Sequence, residues 1–320
     1  MDKIKVIQVG LGAVGKGVTK ALMEKKGVEI VGAVDIAEDK VGKDLGEVAG
    51  IGRQLGVKVT DNADSLFSKT HADVVINATT YSTLHVLYRE ITKPIEQGIN
   101  IITSGVEGSR PFYADPVIAD KLDKLLRKHG VTYLGTGDST AQDRTIMALL
   151  EQCTKVHKIQ ITQSGNAETL SQTAARTYGI GFTPEEYQRR IEEGSIARIP
   201  TSRQELAMLS DRLGWQLDEI RERIEPFPGE GKQTIGTTMI CEGIKDGEVR
   251  IERISKVHPD NKRFRQIIIE GAPSFNVVYD VLLCGTSTTV GCLVNAIPYV
   301  INAPPGIIRA LDLPLSFFAD

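Results

Sequence analysis

Short apolar runs alternate with longer amphipathic stretches through the first half of the chain. Runs that are mostly apolar and end near glycine or polar residues predict buried strands, and they cover residues 3–9, 29–35, 73–77, 100–104 and 131–135. The stretches between them have apolar residues at helical spacing, most clearly at 14–24, 84–95 and 116–129. This alternation predicts βαβ units in a Rossmann-type, doubly wound parallel sheet with helices on both faces.

The second half of the chain has a different pattern, dominated by extended segments. Strands separated by turn signals are predicted at residues 158–163, 234–244, 248–257, 265–270 and 276–283. Helices are predicted at 183–193, where Thr183-Pro-Glu-Glu186 forms a capping box, and at 202–213, 217–224 and 289–301. We expect an α+β domain built on an open antiparallel sheet.

These patterns divide the chain into two domains. Residues 1–137, joined by the C-terminal residues 288–320, form the first domain, and the glycine-rich segment Gly10-Leu-Gly12-Ala-Val-Gly15 predicts that it binds a dinucleotide. Residues 138–287 are predicted to bind substrate and to form an oligomer. An open antiparallel sheet needs cover for its second face, so we expect a homodimer through that face.

Composition narrows the class of protein. Hydrophobic residues are 41% and charged residues 25% of the chain, as in ordinary globular proteins, and the net charge of −3 provides no general attraction to nucleic acid. No apolar run approaches the length of a membrane span, and the charged start of the chain lacks a secretory signal. The four cysteines show no metal-binding spacing. We expect a cytoplasmic protein without a bound metal.

A glycine-rich segment lies between the first predicted strand and the first predicted helix. Gly10-Leu-Gly12-Ala-Val-Gly15 has the spacing of a dinucleotide-binding turn. In such a turn the first glycine permits the bend, the second lets a pyrophosphate approach the backbone, and the third lets helix and strand pack closely. The amides of Ala13 and Val14 would then face the phosphates. The alternative is a structural turn that binds nothing.

Asp35 ends the second predicted strand and bears on the choice of cofactor. A carboxylate there accepts hydrogen bonds from the adenosine ribose and repels a 2′-phosphate. Lys40 is the only cation in the five residues that follow. The pattern favours NAD(H), with NADP(H) as the alternative.

Small polar residues follow two further strands. Ala78, Thr79 and Thr80 come after residues 73–77, and Ser104 ends the run 100–104. Ligands bind at the carboxyl ends of strands in a doubly wound sheet, so these residues are candidates for cofactor contact. The alternative is that the threonines cap the next helix.

These motifs resemble a known family. Two further segments carry the resemblance: GVEIVGAVD…KVGKDLGE at residues 27–47, and the tail Val294-Asn-Ala-Ile-Pro298 … Ala303-Pro-Pro-Gly306. The chain is similar to 2,4-diaminopentanoate dehydrogenases and native amine dehydrogenases, which share the fold of dihydrodipicolinate reductase. The likeness is strongest over residues 1–105 and 293–315. It implies an NAD(P)-dependent oxidoreductase acting on the C–NH2 group of a small amine or diamino acid.

The resemblance also implies a catalytic residue. The family has Cys-Glu-Glu-Leu-Ser-Tyr-Pro after the fifth strand, where this chain has Gly105-Val-Glu107-Gly-Ser-Arg-Pro111. Glu107 matches the second glutamate and would take the amine proton; a solvated loop glutamate is the alternative. The family's Thr-Gly-Val-Asn-Pro-Gly-Phe is replaced by Thr136-Gly-Asp138-Ser-Thr-Ala-Gln142. This departure lies at the expected active-site floor.

Substrate-binding residues are less sharply indicated. Arg110, Arg144 and Arg176 are candidates to pair with a substrate carboxylate, although most arginines are surface residues or ion-pair partners. Tyr178 is a candidate to line the substrate pocket or, equally, to pack in the core. Two alternatives to an amine dehydrogenase remain open: an imine or aldehyde/alcohol reductase on the same scaffold, and a catalytically silent NAD-binding sensor.

Overall fold

The computed structural model describes residues 3–79, 83–170, 175–176, 178–193, 200–230, 233–280, 286–315 and 317–318. The chain divides into two compact units. The first comprises Met1–Arg144 with Thr286–Asp320, and the second comprises Thr145–Gly285. Among the described residues no helix is long and apolar enough to cross a membrane.

The first unit is built on a seven-stranded sheet in which every pair of neighbours is parallel. Its strands are β1 (Ile4–Val9), β2 (Val28–Val34), β3 (Val59–Thr60), β4 (Val74–Asn77), β5 (Asn100–Thr103), β6 (Thr132–Gly135) and β13 (Gly306–Arg309). The order across the sheet is β13-β6-β5-β4-β1-β2-β3. The predicted doubly wound Rossmann-type sheet is therefore confirmed, and the edge strand β13 is an addition that the sequence patterns did not predict.

Helices connect these strands. They are α1 (Ala13–Met23), α2 (Leu45–Ala49), α3 (Ala63–Lys69), α4 (Leu84–Glu96), α5 (Pro111–Ala114), α6 (Pro116–His129), α7 (Asp138–Leu150) and, returning near the C-terminus, α10 (Thr286–Asn302). The patterns predicted neither α3 nor α7. Pro298 lies inside α10, which continues to Asn302 rather than ending at the proline.

Two apolar clusters cover the faces of this sheet. Successive strand residues point to opposite faces, so Val6 belongs to one cluster and Ile7 to the other. The Val6 cluster includes Leu22 of α1 and Ile297 of α10, and the Ile7 cluster includes Leu87, Ile91, Leu122 and Leu126 of α4 and α6. All of these side chains are at most 1% exposed. Each contributes about 1.5–3 kcal/mol to folding through burial.

The second unit is built on a six-stranded mixed sheet. Its strands are β7 (Lys155–Gly165), β8 (Glu219–Pro228), β9 (Thr234–Lys245), β10 (Glu248–Val257), β11 (Phe264–Ala272) and β12 (Phe275–Tyr279), in the order β12-β11-β7-β10-β9-β8. Its helices include α8 (Pro184–Glu192) and α9 (Pro200–Arg212). The predicted sheet was antiparallel throughout, but β7 and β10 run parallel, because β7 comes from the start of the unit and inserts between β10 and β11.

Local signals in the second unit had mixed outcomes. The predicted N-cap is confirmed, since the Thr183 side chain accepts a hydrogen bond from the Glu186 amide at the start of α8. The Glu186 carboxylate accepts hydrogen bonds from Arg189 and Arg190. A hairpin at Asp246-Gly247 joins β9 and β10, and both turn residues have positive φ, as a two-residue turn between twisted strands requires. The helix predicted at 217–224 is wrong, because residues 219–228 form β8 and pair with β9.

Candidate cofactor site and candidate catalytic glutamate

The glycine-rich loop after β1 is held by close backbone contacts. Gly10 has φ +81°, and a Cβ there would come within 2.8 Å of the Ala78 carbonyl group. A Cβ on Gly15 would lie 1.8 Å from the Gly10 carbonyl oxygen. The Gly10 amide donates to the Val34 carbonyl of β2 at 2.8 Å. Two of the three glycines are therefore required by packing alone.

Gly12 differs from the other two glycines because nothing lies within 4 Å of the position its Cβ would take. It is the N-cap of α1, and no side chain caps this helix end or places an acid in its first turn. The first backbone amides of a helix need external acceptors. Open space beside Gly12 and an uncapped helix N-terminus that includes Ala13 and Val14 fit a diphosphate group.

Asp35 lies directly after β2 and makes contact with this loop. One carboxylate oxygen accepts hydrogen bonds from the Leu11 amide at 2.7 Å and from Lys40 Nζ at 2.9 Å. The other oxygen accepts from the Ala37 amide at 2.9 Å. Burial raises the pKa of this carboxyl, but the hydrogen bonds from the two amides and from Lys40 outweigh that effect and hold its pKa below the ordinary value. Asp35 is therefore a charged acceptor, already paired with a cation.

Ile36 follows Asp35 and is 86% exposed. An isoleucine this exposed at the carboxyl edge of a sheet, next to the carboxylate predicted to bind the ribose, is a candidate apolar surface for the face of a nucleobase. The sequence patterns did not single it out.

The ends of β4 and β5 carry the remaining predicted cofactor contacts. The Ala78 amide donates to the Val9 carbonyl at 2.8 Å, and the Ser104 amide donates to the Asn77 carbonyl at 3.0 Å, so both lie at the same sheet edge as the glycine loop. Thr79 Oγ1 lies 2.7 Å from Asn77 Oδ1. Thr79 does not cap α4, because Thr83 is the N-cap of that helix. Thr80 lies outside the described residues.

Glu107 begins a one-turn 3-10 helix (Glu107–Ser109) after β5. Its carboxylate accepts a hydrogen bond from the Leu84 amide at 2.7 Å, at the N-terminus of α4. The half-buried glutamate therefore lies at the carboxyl edge of the sheet with one oxygen oriented by the backbone.

The turn that carries Glu107 is attached to β6. The Tyr133 hydroxyl donates to the Gly108 carbonyl at 2.8 Å, and burial raises the pKa of Tyr133, so it remains a neutral donor. A Cβ on Gly135 would lie 1.9 Å from the Gly108 carbonyl oxygen, so the two backbones are in contact. These contacts join residues far apart in the chain, and no local pattern predicted them.

The three candidate arginines lie in different environments. Arg110 is buried and forms an ion pair with Asp143 of α7. Arg144 donates to the carbonyls of Leu313 and Pro314, at 3.3 and 2.6 Å. Arg176, in the second unit, is exposed. Their role in substrate binding stays a prediction for all three.

Tyr178 is 3% exposed and packs in an apolar cluster of the second unit with Tyr187, Met239 and Val257. It is a core residue there, which was the second of the two interpretations of its sequence position. Among the residues that the structure describes, no group of histidine, cysteine, aspartate and glutamate side chains has the arrangement of a metal site.

Comparison with known proteins agrees with this architecture. A family model for the 2,4-diaminopentanoate dehydrogenase C-terminal domain matches residues 141–318, and a model for the dihydrodipicolinate reductase N-terminus matches residues 4–106. A 2,4-diaminopentanoate dehydrogenase of Acetoanaerobium sticklandii is 29% identical, covering 98% of this chain and 94% of that protein. An amine dehydrogenase of Streptomyces virginiae is 25% identical, covering 98% and 96%.

A solved structure with the same fold is that of an amine dehydrogenase from Mycobacterium smegmatis. Its TM-score is 0.86 at 28% identity, and the match covers 99% of this chain and 97% of that one. The parallel sheet, the glycine loop and these matches define a nicotinamide-dependent oxidoreductase of the Rossmann type. Within that class, the chain belongs to the family of the 2,4-diaminopentanoate dehydrogenase C-terminal domain. The resemblance stated from the sequence is confirmed.

Proposed function

We propose that the chain is an NAD(P)-dependent amine dehydrogenase that oxidises the C–NH2 group of a small amine or diamino acid. The observation that carries the proposal is the carboxylate of Glu107, which lies at the sheet's carboxyl edge in the unit that also holds the glycine loop. The named relatives, a 2,4-diaminopentanoate dehydrogenase and amine dehydrogenases, support the same substrate class.

The chemistry requires a group that handles protons. An amine must be neutral before a hydride can leave its carbon, so a base has to take the ammonium proton. When bound, the nicotinamide accepts that hydride. Glu107 takes the ammonium proton and releases it to solvent, so that the carboxylate is negatively charged again when the substrate iminium forms. The carboxylate then stabilises the iminium and orients the water that attacks the iminium carbon. Hydrolysis of the iminium yields a carbonyl product and ammonia.

The cofactor proposed is NAD(H), with NADP(H) accepted less well. The Asp35 carboxylate receives the ribose hydroxyls and opposes a 2′-phosphate, while Gly12 leaves room for the diphosphate. Lys40, 2.9 Å from Asp35, offsets part of the negative charge. Ile36 supplies the apolar contact for the adenine.

The proposal extends to the location and the assembly of the protein. We place the enzyme in the cytoplasm, where nicotinamide cofactors are available and thiols stay reduced; Cys153, Cys241 and Cys292 are free thiols. We further propose a homodimer that covers the face of the second unit's sheet opposite α9.

The deciding experiment is a screen of amines and amino acids with NAD+ and NADP+, followed as absorbance of the reduced cofactor. Steady reduction with an amine, and release of ammonia in equal amount, supports the proposal. Turnover only with alcohols, or only in the direction of imine or carbonyl reduction, would assign a different reductase. Tight NADH binding without turnover of any substrate would indicate a sensor.

A further inference from the structure

A buried ion pair lies next to the turn that carries Glu107. Arg110 is 3% exposed and Asp143 is fully buried, and Arg110 Nη2 donates to Asp143 Oδ2. The Arg110 backbone amide donates to the Glu107 carbonyl at 3.2 Å. We propose that Arg110 and Asp143 are a positioning pair that holds the Glu107 turn against α7. The inference rests on the proposed role of Glu107.

The geometry of the turn explains why the pair would act on Glu107. Residues Glu107–Ser109 form a single 3-10 turn, so a displacement at Arg110 moves the whole turn. The middle of the turn is held by Tyr133 and Gly135 through the Gly108 carbonyl. The carboxylate of Glu107 is held separately by the Leu84 amide. Arg110 and Asp143 therefore fix the remaining end, and the direction of the carboxylate depends on all three attachments.

The charges make this attachment sensitive to single substitutions. Within the described structure, Nε and Nη1 of Arg110 have no hydrogen-bond partner, so the bond from Nη2 to Asp143 carries the contact. A buried charge that loses its partner is costly, whereas replacing both charges with apolar side chains of similar volume is tolerated. Loss of Asp143 alone would push the Arg110 guanidinium toward water and carry the turn with it.

The first test is Asp143→Asn, which keeps the shape of the side chain and removes its charge. We expect kcat for amine oxidation to fall at least about tenfold, because even a small misplacement of a catalytic group lowers the rate constant strongly. The NADH dissociation constant should stay within about twofold, because the glycine loop and Asp35 are untouched. Asp120→Asn removes an exposed ion pair with Lys124 on α6 and serves as the matched control, with unchanged kcat.

A second test asks whether the pair acts through Glu107. In a Glu107→Gln background, adding Asp143→Asn should change kcat less than about twofold, since the base it positions is already absent. A further drop as large as in the wild-type background would overturn the positioning role. If Glu107→Gln itself keeps full activity, the proposed function of Glu107 has failed, and that result is independent of the ion pair.

A third test separates positioning from substrate contact. The double variant Arg110→Met/Asp143→Leu removes both charges, so kcat should recover to within about threefold of wild type. If Arg110 instead binds the substrate, the double variant would keep a large rise in the KM for the amine, and the proposal would be wrong. Should Asp143→Asn fail to fold, Arg110→Lys keeps a cation beside Asp143 but loses the fixed direction of the guanidinium. This variant should lower kcat with NADH binding intact, and an unchanged kcat would count against the proposal.

Discussion

At the scale of single residues, the site depends on carboxylates whose hydrogen-bond partners are backbone amides. Asp35 accepts from Leu11 and Ala37, and Glu107 accepts from Leu84. Amide donors have fixed directions, so they orient a carboxylate more firmly than a flexible lysine or water does. The residue type at each position was predictable from motif and resemblance. The partners were not, because Leu11 and Leu84 lie 24 and 23 residues away along the chain.

The principal prediction at this scale concerns Glu107→Gln. The variant keeps the shape of the side chain but takes no proton, so kcat with the best amine should fall by about 10²- to 10⁴-fold, roughly 3–5 kcal/mol of barrier. The dissociation constant for NADH should hardly change. Both constants are measured on the same preparations. Retention of more than half the activity would remove Glu107 from the mechanism.

A second prediction concerns the pair of Asp35 and Lys40. Wild type should bind NADH more tightly than NADPH, and Asp35→Ser should narrow the difference. Lys40→Met should widen it by about tenfold, roughly 1.4 kcal/mol, because the carboxylate then faces the 2′-phosphate without its cation. Each variant is compared with wild type by fluorescence titration. Titrating both proteins with NADH and with NADPH gives the four dissociation constants needed. Equal loss for NADH and NADPH in Lys40→Met would show that the lysine contributes nothing to selectivity.

At the scale of secondary-structure elements, periodicity explains which predictions succeeded. The five strands predicted in the first half of the chain are short apolar runs between helices, a pattern with a single interpretation, and all five were found. The segment at 217–224 has Ile220 and Ile224 four residues apart, a spacing that suits one face of a helix and also, as a multiple of two, one face of a strand. The segment forms a strand because it pairs with β9, and this pairing between distant segments cannot be read from local sequence.

Two other elements carried weak signals. Helix α7 begins in the polar run Asp138-Ser-Thr-Ala-Gln142. Its buried residues there include Thr140 and Gln142, which are polar, so the sequence lacks the apolar periodicity that predicts a helix. Strand β13 has only four residues, Gly306–Arg309, and follows two prolines. Its identity as a strand comes from pairing with β6, which is distant in the chain.

The glycine loop gives a prediction at this scale, since Gly12 and Gly15 should respond differently to alanine. A Cβ at position 12 meets no protein atom, so Gly12→Ala should leave the melting temperature of the cofactor-free protein unchanged and weaken NADH binding at least about tenfold. A Cβ at position 15 collides with the Gly10 carbonyl, so Gly15→Ala should lower both stability and NADH affinity. Equal behaviour of the two variants in both assays would contradict a diphosphate site at Gly12.

At the scale of the whole molecule, the two-part organisation followed from the change of pattern along the chain, and the fold class and family were predicted correctly. At this scale we also expect assembly into a dimer through the sheet of the second unit. On β10, Arg253 contacts Glu205 of α9, so the adjacent Ile254 lies on the opposite face of the sheet. Ile254 pairs across the strands with Thr162 and Ile240, which gives that face an apolar centre.

The prediction is that the wild-type protein is a dimer by light scattering and that Ile254→Arg is a monomer. An arginine at the centre of a buried interface loses its hydration without gaining a partner. Arg250→Ala, at a half-buried position near the start of β10, is the control and should leave the dimer intact. If the wild-type protein is a monomer at working concentration, the predicted dimer interface is wrong.

The return of the C-terminal segment to the first unit also has a consequence for biosynthesis. Residues of α10 and β13 complete the first sheet and one of its two cores, yet they leave the ribosome after the whole of the second unit. The second unit, residues 145–285, is continuous and can fold during translation, whereas the nucleotide-binding unit stays incomplete until α10 and β13 emerge. Nascent chains that stop before residue 286 would expose the edge of β6 and the apolar face that Leu293 and Ile297 cover. Stalled or truncated translation products of this protein should therefore be substrates for chaperones and proteases, even though most of their sequence is native.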